Sequence, residues 1–118
     1  MPEAIDNWKT QVRRGYLELC ILLLIHRHKR LYGFDLIQKL EEAGMPVKEG
    51  TLYPLLNRMA EEKHLDSSWE TENLKGHPRK FYSMTKQGIE LLLAMKAEFG
   101  KMVDTFKTVQ KDGKTGRK

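Results

Sequence analysis

The residues best suited to chemistry in this chain are cations and hydroxyls gathered in its middle third. Lys48, Arg58, Lys75, His77, Arg79 and Lys80 supply positive charge, and Thr51 and Tyr53 supply hydroxyls between the first two of them. Lys and Arg neutralise backbone phosphates, the dominant source of affinity for DNA, and hydroxyls bond phosphates or base edges. The acidic pairs Glu41-Glu42 and Glu61-Glu62 stand apart from this cluster. Other chemistry is poorly served. The histidines fall at 26, 28, 64 and 77, and His26 and His28 lack the i, i+4 spacing that places two ligands on one helix face. The single cysteine, Cys20, lies in the apolar run Leu19-Cys20-Ile21-Leu22, where a buried, inert thiol is expected. No Gly-rich phosphate loop or convergent acid–base pair occurs, so no catalytic residue, metal ligand or cofactor is expected.

The chain has 118 residues, one domain's worth, with 40% hydrophobic and 31% charged residues. Its formal charge of +5, from 21 Lys and Arg against 16 Asp and Glu, favours a polyanionic partner. Part of the excess lies in the tail, where five basic residues and one acidic residue follow from Lys107. A lone cysteine and the lack of a signal peptide fit the cytoplasm, and the apolar run Leu17 to Ile25 is too short to cross a membrane.

The elements that must carry these residues follow from periodicity. Asp6 or Asn7 can cap a first helix, in which Val12, Tyr16, Leu19, Leu23 and Ile25 lie near helical spacing and which ends in His26-Arg27-His28-Lys29-Arg30. Apolar residues nearly all round this helix require burial on more than one side, which a second subunit can supply. Tyr32-Gly33 opens a second helix with Phe34, Leu36, Ile37 and Leu40 as its apolar face, closed by Gly44 and Pro46. A third helix carries Leu52, Leu55, Leu56 and Met59 inward, with Pro54 expected in its first turn. Two short helices across a tight connection make a helix-turn-helix. Leu65 to Glu72 and Arg79 to Met84 read as strands around a turn-rich segment, a hairpin in the position of a wing.

Thr85 caps a last long helix with Ile89, Leu92, Phe99, Val103, Phe106 and Gln110 along one seam, suited to a partner subunit. The expected fold is mainly α with a small β-hairpin: a winged helix-turn-helix over residues 7–84, a C-terminal dimerisation helix over 85–110, and a basic, disordered tail over 111–118. Val12, Tyr16, Leu92, Phe99, Val103 and Phe106 are its expected dimer contacts. Thr51 has two readings, as a helix cap or as a DNA contact. Tyr32 and Tyr53 likewise divide between core packing and DNA.

Tyr32-Gly33-Phe34-Asp35-Leu36, Gly50-Thr51-Leu52-Tyr53-Pro54-Leu55-Leu56 and Arg79-Lys80-Phe81-Tyr82, followed by Thr85 and Gly88, resemble the PadR family of bacterial transcriptional regulators. The likeness runs from about Val12 to about Leu93, and the short chain is similar to the subgroup with one C-terminal helix. It implies a homodimeric repressor on a pseudo-palindromic operator in double-stranded DNA, with the recognition helix in the major groove and the wing on the adjacent minor groove or backbone. Tyr32, Gly33, Thr51, Tyr53, Lys75, Arg79 and Lys80 are the contacts it implies, and Lys48, Arg58 and His77 are added on charge alone. Glu49 departs from the family pattern, which has a small residue or Pro there. Some relatives bind flat aromatic effectors between the last helices, and the matching position is Phe99, with Met95 and Met102 close by. The competing reading is that Phe99 fills the dimer seam. Outside DNA binding, the remaining functional reading is a winged helix that docks on proteins.

Overall fold

The structure is a computed structural model, described here for residues 2–70 and 79–115. Its elements run α1 (Pro2–His28), β1 (Arg30–Tyr32), α2 (Gly33–Glu42), α3 (Glu49–Glu61), β2 (Leu65–Glu70), β3 (Arg79–Met84) and α4 (Lys86–Thr115). This is the expected winged helix with a long C-terminal helix, and it carries one strand more than the hairpin.

That extra strand follows from one residue. Lys29 takes a left-handed conformation (φ 75°), which ends α1 at His28 and turns the chain into extended backbone. Helix continuation through Arg30 was expected. Instead Arg30, Leu31 and Tyr32 alternate outward, inward and half-buried, a period-two pattern that a three-residue stretch hardly reveals in sequence. β1 pairs antiparallel with β3, which also pairs with β2, giving the order β1-β3-β2. At its other end α1 begins at Pro2, ahead of the expected caps Asp6 and Asn7, and Pro is well tolerated in a first helical turn.

The core is built around α1. Ile21, Leu22 and Ile25 are fully buried against Leu36 and Leu40 of α2, Leu52 and Leu56 of α3, Leu65 of β2, Tyr82 of β3 and Leu92 of α4. Each such side chain contributes about 1.5–3 kcal/mol relative to an exposed one. Two expectations change here. Phe34, placed on the apolar face of α2, is 59% exposed, because it is the second residue of the helix and lines the open cleft beside the wing. Leu92, expected to face a partner, is 1% exposed within the chain's own core, and Leu93 (60% exposed) lies on the open face. Pro54 is the sixth residue of α3 and so falls in its second turn, where it cannot donate to the Gly50 carbonyl.

α4 is fastened at its first turn. The Thr85 hydroxyl accepts from the Gly88 amide at 2.9 Å and donates to the Lys63 carbonyl at 2.6 Å. The Thr85 amide donates to the His64 carbonyl at 3.3 Å. The helix therefore crosses the α3–β2 turn with no room to spare. A Cβ added to Gly88 would lie 2.0 Å from the His64 carbonyl oxygen, a backbone atom that cannot swing aside. Past this anchor α4 continues to Thr115, five residues beyond its expected end at Gln110. Gly88→Ala is therefore expected to destabilise the fold by about 1–3 kcal/mol through overpacking. Chemical denaturation checks this, and an unchanged midpoint would contradict the close approach.

Candidate nucleic-acid interface

The start of α2, the exposed side of α3 and the wing converge on one cleft of about 490 Å³. Gly33 makes the convergence possible. It is buried at the first residue of α2, and a Cβ there would lie 2.5 Å from the Tyr53 ring. The tip of the Tyr53 ring thus lies against the α2 backbone, and the half-buried residue lines the cleft. Burial, and then the carboxylate of Glu49 one turn earlier, push the Tyr53 hydroxyl's pKa up. It stays protonated across the physiological range, so it can donate to a phosphate oxygen.

Arg79 and Lys80 enter the cleft from opposite faces of β3, each steadied by an aromatic ring. On the outer face the Arg79 guanidinium lies 4.0 Å over the Tyr32 ring, and the Tyr32 hydroxyl donates to the Glu70 carboxylate. Phe81 meets Tyr32 edge-on at 5.8 Å and carries Arg30 at 4.4 Å on its ring. On the inner face the Lys80 ammonium is 5.5 Å from Trp69, its cross-strand partner, and 5.8 Å from Tyr82. Cation–π contacts of this kind are worth about 0.5–1 kcal/mol at exposed sites. They orient each cation while leaving its N–H groups for an anion.

The structure therefore brings Tyr32, Gly33, Tyr53, Arg79 and Lys80 together. It separates others from them. Thr51 is the third residue of α3, past the capping position of Lys48, and no side-chain hydrogen bond caps that helix. Thr51 and Lys48 line a second cleft of about 660 Å³ between α1 and α3, with Arg13 and Arg14. Arg58, included on charge alone, also faces that side. It pairs with Glu18 of α1 at 2.5 Å and with Glu62 at 3.0 Å, so its guanidinium fastens α3 to α1 and is already engaged by carboxylates. Against the expectation of a free phosphate cation, its guanidinium is paired within the fold. Lys75 and His77 lie outside the described residues.

Sequence reasoning missed four residues here. Phe34 and Asn57 line the cleft, as does Trp69, 62% exposed at the wing, while Arg30 extends the row of cations on the outer sheet face. For Trp69 the signal was present: Leu65, Ser67 and Trp69 alternate onto the face that carries Lys80. Phe34 carried the opposite signal, since its spacing to Ile37 matches an apolar stripe.

The helix-turn-helix and the wing thus enclose a cationic, hydroxyl-bearing cleft. Residues 21–94 match the model of the "Transcriptional regulator PadR-like family". The chain belongs to this family. Its members are DNA-binding transcriptional regulators, and this chain shares that role. It is 42% identical to a PadR-like transcription factor from Bacteroides fragilis over 88% of this chain and 99% of that one, with a TM-score of 0.74. A PadR-like regulator from Bacillus cereus is 36% identical over 85% of this chain and 96% of its own, also at 0.74. A PadR family regulator from Eggerthella lenta is 28% identical, with coverage of 92% and 94% and a TM-score of 0.82. No curated protein matches. Among the described residues no helix is long and apolar enough to cross a membrane, and no group of three or more His, Cys, Asp or Glu could hold a metal ion.

If the Tyr53 seat matters for DNA, Gly33→Ala should displace the ring without opening the core. The expected outcome is at least a fivefold loss of DNA affinity with thermal stability nearly unchanged, read by titration of labelled DNA and by thermal melting. Full affinity in the variant would show that the ring's position is irrelevant to binding.

Proposed function

We propose that this chain is a homodimeric repressor that binds a pseudo-palindromic operator, with α3 in the major groove and the wing on the adjacent minor groove or backbone. One observation carries the reading: Tyr32, Tyr53, Arg79 and Lys80 arrive from three separate elements at a single cleft open to solvent. The aromatic supports under Arg79 and Lys80 favour an anionic backbone as the ligand. The protein belongs in the bacterial cytoplasm on this reading, with DNA as its main partner.

Dimerisation is supported by apolar surface that the single chain leaves open. Ile5, Trp8 and Val12 on α1, with Met102, Phe106 and Val109 on α4, are all exposed. Between these two rows Tyr16 stacks on Phe99 with ring centroids 5.6 Å apart, which makes α1 and α4 one surface. A contiguous apolar surface of this kind marks an interaction site. Val103 is half-buried beside them, and Leu92, being in the core, is no part of the interface. Trp8 joins the interface on this reading. A flat aromatic effector would sit where Phe99 and Met102 remain exposed, near the half-buried Met95.

Replacing Arg79 and Lys80 together by Ala tests the DNA reading. Affinity should fall by tenfold or more, and the slope of log affinity against log salt should become shallower by about two, one for each lost phosphate contact. Unchanged affinity and slope would remove the wing from DNA binding and favour docking on another protein.

A further inference from the structure

The recognition helix has a side that touches neither the core nor its neighbours. Leu52, Leu56 and Met59 point inward. At about 100° per residue, Gly50, Pro54, Asn57 and Glu61 lie on the opposite face. Glycine and proline offer no side-chain hydrogen bond, and a carboxylate at 61 repels phosphate. Asn57 alone on that ridge carries both a neutral donor and a neutral acceptor. It is exposed, lines the cleft with Tyr53, and has no side-chain hydrogen-bond partner among the described residues.

Its surroundings suit a base edge. Tyr53, one turn earlier, has its ring committed to the Gly33 backbone, and Thr51 lies toward the α1 side. Arg79 and Lys80 stand across the cleft, where bound backbone would hold the duplex in a fixed position. Phe34 and Trp69 flank the same space with apolar surface, and exclusion of water strengthens a hydrogen bond made between them.

We propose that Asn57 reads an adenine in each half-site, its amide pairing with N6 and N7 in the major groove. This rests on the DNA-binding reading above and adds the residue that sets base preference. Asn57 contributes discrimination between sequences, whereas Arg79 and Lys80 contribute affinity for any sequence.

Selection of tight binders from random duplex DNA, run in parallel with wild type, Asn57→Ala and Asn57→Asp, tests the assignment. Wild type should enrich a motif with an adenine in each half-site. Asn57→Ala should lose roughly tenfold of preference at that one position, keep the rest of the motif, and show the wild-type salt slope. Asn57→Asp, able only to accept, should shift that position toward cytosine, whose amino group donates. The same motif in all three proteins would overturn the role of Asn57 while leaving DNA binding intact. A uniform loss of affinity without a changed motif would make Asn57 a backbone contact and equally overturn it. No enriched motif for wild type would instead remove the sequence-specific reading, and the Asn57 assignment with it. Asn57 is exposed and has no side-chain partner among the described residues, so thermal melting should find both variants as stable as wild type.

Discussion

The Tyr53 ring occupies the space that a side chain on residue 33 would take, and the DNA-facing surface is arranged around that contact. Because residue 33 is glycine, α2 and α3 approach until the ring of one lies on the backbone of the other. Tyr32, immediately before, is then held at the wing by its bond to Glu70 and by the guanidinium of Arg79 over its ring. A Cβ at position 33 would push the Tyr53 ring out of its seat between the start of α2 and the wing. Much of the cleft's geometry thus depends on one absent methyl group.

The opposite side of α3 is held differently. Arg58 joins it to α1 through Glu18 and closes a second pair with Glu62, the residue that caps its C-terminus. Partly exposed pairs of this kind contribute little stability each, about 0–1 kcal/mol. Their consequence is positional: the recognition helix is tied to the helix that carries Trp8, Val12 and Tyr16. α4 is fixed to the far end of α3 through Thr85 and the Lys63 and His64 carbonyls. The helices that carry the open apolar surface and the helix that lines the cationic cleft are therefore joined through one core.

Much of this was legible in the sequence. The helix-turn-helix, the returning strand and the Thr85 cap follow from periodicity and turn chemistry, and Gly50-Thr51-Leu52-Tyr53-Pro54-Leu55-Leu56 together with Arg79-Lys80-Phe81-Tyr82 matches the family to which the chain belongs. What escaped has physical causes. β1 is three residues long and depends on a left-handed Lys29, a conformation that residue type does not announce. Leu92 and Leu93 are identical by type and differ by one helical step, enough to send one into the core and the other to solvent. Arg58 reads as a free cation in the sequence because its partner Glu18 lies forty residues away in the chain. Charge is visible in a sequence, whereas its neutralisation by a distant carboxylate is a property of the fold.

Footprinting on the DNA upstream of this protein's own coding region, at low and near-physiological salt, tests the central claim most directly. A symmetric dimer with α3 in the major groove should protect two half-sites about one helical turn apart, and the pattern should persist at the higher salt. Unpatterned protection that vanishes with salt would show that the cationic cleft binds polyanions without selecting a site.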